Sequence, residues 1–176
     1  MGLSLGLDIS TSCTGFCILD DDCKLIKIDF IRLDNIDNFF EKSDKVEEVF
    51  NEIKKEFNIA NVFIEQNLQA FRPGLSSAST IDTLARFNGT VTYIAYKVFG
   101  VKPTAINVIA ARSAVGLKID HKDKSRTTKE KVFAWVFASI PVNWPTNKKG
   151  GFKPSCFDMA DSYVITKAGI LLNVKR

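Results

Sequence analysis

The stretch GLDISTSCTGF, residues 6–16, ends an apolar run on an aspartate, Asp8, and follows it with small residues, hydroxyls and a glycine. LSLGLD before the turn and GFCILD after it read as two strands, and CKLIKIDFI, beyond an Asp-Asp-Asp turn at residues 20–22, reads as a third. The first thirty residues are therefore expected to form an antiparallel meander. A carboxylate at the tip of a strand with a buried pattern needs a physical reason.

Further along, SDKVEEVFNEIKKEF places Val46, Val49, Phe50, Ile53 and Phe57 at helical spacing, with Ser43 as its expected N-cap. NVFIEQ gives a short strand ending in Glu65, and NLQAFRPGLSS reads as a loop. A long helix is expected from Ala78 to Phe99, then a strand at TAINV and a basic loop over residues 118–126. Helices follow at TTKEKVFAWVFAS and DMADSYVITKAGILL, separated by a proline-bounded loop. A meander followed by alternating helices and strands predicts an α/β fold, a mixed sheet with helices on its faces. At 176 residues the chain is expected to be a single domain, residues 1–176.

The composition, 45% apolar and 25% charged, is that of a globular chain. Neither a signal peptide nor an apolar run of membrane-spanning length is present, so an intracellular, soluble protein with no membrane partner is expected. Cys13, Cys17, Cys23 and Cys156 lack metal-ligand spacing and are expected to be reduced thiols. Charge is uneven: residues 1–96 carry a net −6, whereas residues 97–154 carry +9. A basic segment of that size suits a polyanionic partner.

Acids on solvated helix faces, such as Glu47, Glu48 and Glu52, need no special account. Four others break apolar patterns: Asp8 and Glu65 at strand ends, and Asp158 and Asp161 three apart on the last helix. Residues at i and i+3 share a helical face. If the first and fourth strands are parallel neighbours and the last helix crosses their ends, the four carboxylates converge. Like charges so placed raise one another's pKa, and divalent cations remove the conflict. Oxygen-only ligands favour a hard metal, Mg²⁺ with Mn²⁺ able to substitute. Two such ions about 4 Å apart support phosphodiester hydrolysis.

GLDISTSCTGF, VFIEQ and DMAD followed by an apolar helix, in that order across nearly the whole chain, resemble the RuvC family of Holliday junction resolvases, particularly its phage-type members. The resemblance implies an RNase H-like five-stranded sheet and a homodimeric endonuclease that makes paired symmetric nicks in four-way or other branched DNA. Two metal ions would sit on Asp8, Glu65, Asp158 and Asp161, with Lys129 at the scissile phosphate and no nucleotide cofactor. It also implies that Phe71 probes the junction centre, that Arg72 meets phosphate, and that residues 78–99 form the dimer helix. Arg112, one place off the family's basic position, and Lys118, Lys122, Lys124 and Arg126 would add backbone contacts.

Three other readings compete. The opening stretch is also similar to the first phosphate loop of actin-like, sugar-kinase and Hsp70-like ATPases, which need a second lobe that this chain has no room for. RNase H-like nucleases of ribosomal RNA precursors share the opening motif and the last acid but leave the basic segment and the long helix without a role. A catalytically silent junction-binding module would have no use for four carboxylates.

Overall fold

A computed structural model describes residues 2–66, 78–120 and 122–173. The strands are β1 (Leu3–Ile9), β2 (Cys13–Leu19), β3 (Leu25–Arg32), β4 (Ile59–Glu65) and β5 (Thr104–Ile106). The helices are α1 (Phe39–Glu56), α2 (Ala78–Phe99), α3 (Val108–Ala114), α4 (Thr128–Ser139) and α5 (Ser155–Asn173). The sheet order is β3-β2-β1-β4-β5. β1, β2 and β3 form the expected antiparallel meander, and β4 and β5 add to β1 in parallel. The fold is α/β with a five-stranded mixed sheet, as the sequence predicts.

Strand alternation decides which face receives which side chains. Leu5, Leu7 and Ile9 of β1 point with Phe16 and Ile18 of β2 into a core closed by Val46 and Phe50 of α1 and Phe87 and Val91 of α2. The intervening residues of β1, Ser4, Gly6 and Asp8, therefore face the other way. On that side Cys17, Leu19 and Phe63 pack beneath Met159, Tyr163 and Val164 of α5, with Val132 and Val136 of α4 behind them. Helices thus cover both faces.

α5 lies unusually close to the sheet because two strand residues lack side chains. A Cβ on Gly15 would collide with the backbone carbonyl of Asp158, and one on Gly6 with the side chain and backbone of Thr166. The helix buries nearly its whole circumference, from Cys156 to Ile170. That burial explains why its residues show little amphipathic patterning.

Several boundaries depart from the sequence reading. α1 begins at Phe39, where the Asn38 side chain accepts from the amides of Phe40 and Glu41. Ser43 is not the N-cap: it is buried one turn inside, donating its hydroxyl to the Phe39 carbonyl at 2.9 Å. β5 stops at Ile106 because the next residue, Asn107, caps the unanticipated helix α3. α5 begins at Ser155, so Asp158 occupies its first turn and not its cap. α2 has the expected span, but its burial starts only at Phe87; Ile81 and Leu84 are half-exposed and Ala85 is exposed. No helix of the described residues is long and apolar enough to cross a membrane.

Candidate active site

The parallel pairing of β1 with β4 aligns Leu7 with Ile64. The next residue on each strand, Asp8 and Glu65, therefore stand side by side at the carboxyl ends of the two central parallel strands. Asp8 also pairs with Gly15 across the β1–β2 hairpin. Gly15 is where the first turn of α5 comes down, so the hairpin register brings Asp158 over Asp8. Asp161 follows one turn later on the same helical face and is only 8% exposed. Asp8 thus feels the charges of Glu65, Asp158 and Asp161, and the close approach at Gly6 and Gly15 sets α5 against the sheet.

The hydroxyls after Asp8 divide in role. Ser10 closes the turn: its amide donates to the Cys13 carbonyl at 3.1 Å, and its Oγ donates to that carbonyl at 2.6 Å and accepts from the Cys13 amide. Ser12 is exposed. The Thr11 carbonyl accepts from Lys42 Nζ at 2.6 Å, tying the turn to α1. The tight turn leaves the space above Asp8 clear of bulk.

Electrostatics register the convergence. Burial first, and then the charges of Asp161, Glu65 and Asp158, push Asp8 well above the ordinary carboxylate range, with Lys129 opposing. Burial and Asp161 push Glu65 up to about 7 against Arg112 and Lys129. Burial raises Asp161 to about 6, against Lys129 and Arg112. Asp158 is also raised by burial, while Lys129 and the Cys13 thiol pull it back. Ionised together, the four acids repel one another in a partly desolvated pocket.

Two cations answer them. Lys129 Nζ lies 3.5 Å from Asp158 Oδ1, its side chain 60% exposed and that of Asp158 15%. Burial lowers the Lys129 pKa, but Asp158, Asp8 and Asp161 outweigh it and the net shift is upward. Its position is fixed by a capping box at the start of α4, where Thr127 and Glu130 satisfy each other's backbone amides. Arg112, in the last turn of α3, lowers the pKa of both Glu65 and Asp161, which places it at the rim of the site.

Cys13 is the residue that sequence reasoning missed. It lines the same cavity as Asp158 and stays protonated, because burial and the neighbouring carboxylates raise its pKa. The available signal was the hairpin: in β2, Cys13 and Gly15 alternate onto the face that carries Asp8. All four cysteines are free thiols.

Lys118, Lys122, Lys124 and Arg126 are exposed on the loop before α4. Lys131 anchors that loop, donating to the carbonyls of Asp120 and Asp123 and pairing with the Asp123 carboxylate. Phe71 and Arg72 lie outside the described residues.

Among the described residues no group of three His, Cys, Asp or Glu side chains is placed to hold a metal ion. The donors nonetheless suit a hard divalent cation: four carboxylates, partly buried, mutually repelling and under-compensated by Lys129 and Arg112.

No protein-family model matches the chain, and no curated protein matches its sequence. Its fold is RNase H-like, of the type seen in RuvC. Thermus thermophilus RuvC in complex with a Holliday junction substrate superposes with a TM-score of 0.67 at 13% identity, over 99% of this chain and 96% of that one. A second structure of Thermus thermophilus RuvC gives 0.66 at 14% identity, over 98% and 96%. The yeast mitochondrial Holliday junction resolvase Ydc2 gives 0.58 at 15%, over 98% of this chain and 79% of its own.

Proposed function

We propose that the chain is a metal-dependent endodeoxyribonuclease, residues 1–176 forming one nuclease domain, that resolves Holliday junctions and related branched DNA by paired nicks. The observation that carries this reading is the set of partly buried carboxylates, Asp8, Glu65, Asp158 and Asp161, gathered on the α5 face of the sheet beside Lys129. The shared fold with a RuvC seen on a Holliday junction supports the choice of substrate.

Asp8, Glu65, Asp158 and Asp161 would hold two Mg²⁺ ions. When bound, these supply an activated water and charge stabilisation of the leaving 3′ oxygen. Asp8 and Glu65, on adjacent strands, fix one wall of the site with the rigidity of a sheet. Asp158 and Asp161 form the other wall from α5. Lys129 keeps Asp158 ionised and presents an ammonium to the phosphate being cut, where a fixed positive charge favours the transition state. Arg112 plays a similar part beside Glu65 and Asp161. Lys118, Lys122, Lys124 and Arg126 hold the DNA backbone without reading its bases.

Two symmetric nicks require two such sites related by a two-fold axis, so the active form is a homodimer. The segment of α2 before Phe87, half-exposed at Ile81 and Leu84, is the surface that supports this assembly.

The test offers the purified protein a mobile four-way junction, a flap, linear duplex and structured RNA side by side, with Mg²⁺ or EDTA. Paired symmetric nicks confined to branched DNA, and lost in EDTA, are expected. Cleavage of RNA alone, or of nothing, would contradict the reading.

A further inference from the structure

A cavity of about 330 Å³ opens beside the carboxylates, between the β2–β3 edge of the sheet and the first turn of α5. Cys13 and Asp158 form the wall it shares with the active site, and Phe30 and Pro154 supply an apolar side. Its charged residues are unequally occupied. Asp34 is held by Arg32, Nε to Oδ1 at 2.6 Å. Asp158 is held by Lys129, Nζ to Oδ1 at 3.5 Å. Lys153 makes no ion pair among the described residues and is the uncommitted cation of the cavity.

The backbone of Lys153 is fixed from both sides. Its amide donates to the Pro145 carbonyl at 3.0 Å, and its carbonyl accepts from the Cys156 amide at 3.0 Å. The Thr146–Phe152 bridge closes the segment into a hairpin whose tip carries Lys148 and Lys149. α5 begins at Ser155, and its Cys156 and Phe157 amides donate to the carbonyls of Lys153 and Pro154, which holds Lys153 against the first turn of the helix.

From this arrangement we propose that the cavity is a second phosphate subsite. It takes a backbone phosphate of the strand being cut, adjacent to the scissile one, on the β2–β3 side of the carboxylates and away from Glu65. Lys153 binds the phosphate oxygens, and Phe30 and Pro154 cover the attached sugar. Lys148 and Lys149 continue the positive track outward. The inference rests on the reading of the site as a nuclease for branched DNA and adds the direction in which the strand leaves it.

The test measures binding of a four-way junction in EDTA, so that cleavage plays no part. Phosphates on either side of the mapped nick are replaced one at a time by neutral methylphosphonates, and wild-type protein is compared with Lys153→Met. One flanking replacement should weaken wild-type binding about 5- to 10-fold. Lys153→Met should weaken binding of the native junction similarly and lower the salt slope by about 1. The two changes together should cost no more than either alone, because they remove the same contact. Fully additive losses, or a Lys153→Met protein that binds like the wild type, would overturn the subsite while leaving the nuclease reading intact. A wild-type protein that neither binds nor nicks branched DNA would overturn both.

Discussion

The acids beneath α5 and the acids around the start of α4 are chemically alike and physically opposite. In the loop, Asp123 accepts from the Ser125 amide and pairs with Lys131, and its carboxyl is pulled down to about 2. Glu130 accepts from the Thr127 amide and hydroxyl and is likewise lowered. Those acids are satisfied by the backbone beside them. Under α5 the reverse holds: Glu65 rises to about 7 and Asp161 to about 6, and Asp8 is pushed upward by burial and then by three other carboxylates. The first group serves local folding. The second opposes it, which is the mark of a site built for something the chain does not itself contain.

The contrast breaks most visibly in activity. Glu65→Gln preserves shape while removing a charge that a cation needs, and junction cleavage should fall by about 10³-fold or more, beyond the loss of a single hydrogen-bond donor. Gel assays of nicking under single-turnover conditions measure this. Lys129→Met removes the nearest counter-charge; cleavage should fall by about 10²-fold, the scale of one lost electrostatic contact to a reacting group. The same assay, run across pH, should show its acid limb displaced upward, because Lys129 lowers the pKa of Asp8, Glu65, Asp158 and Asp161.

Stability should respond next. The folded-state pKa values of Glu65 and Asp161 lie above those of an unfolded chain, so the folded state holds its protons more tightly. Their contribution is fully present below about pH 4 and is lost as pH rises through 6 and 7. In EDTA, thermal unfolding should show Tm decreasing between pH 5 and pH 7.5, with a smaller decrease in Asp161→Asn and a recovery on adding Mg²⁺. The smallest effect belongs to the satisfied acids' own region: Thr127→Ala removes a capping box and should cost about 1 kcal/mol, or about 2–4 °C in Tm.

Much of this contrast was legible in the sequence, because strand and helix periodicities are local. Asp8, Glu65, Asp158 and Asp161 each interrupt an apolar pattern, and order along the chain was enough to suggest convergence. The limits of α2 were likewise readable from its apolar spacing. What stayed hidden depended on contacts between distant segments. The low amphipathicity of α5 follows from its burial on nearly every side, and the roles of Gly6 and Gly15 appear only once that helix is laid against them. Cys13 looked like an ordinary thiol until the hairpin register set it beside Asp158. Ser43 resembled a cap because serine often is one, but Asn38, two residues past Ile36 in the connector from β3, captured the amides first. The hairpin carrying Lys153 read as plain loop because a single bridge and a few backbone bonds leave no periodic signal.

The central claim is that the carboxylates under α5 exist to cut DNA and not to stabilise the chain. Asp8→Asn tests it in one preparation, by measuring four-way junction binding in EDTA and nicking in Mg²⁺. The account predicts binding equal to or tighter than that of the wild type, since a negative charge near phosphate is gone, together with no detectable nicking. A variant that nicks the junction at the wild-type rate would contradict it.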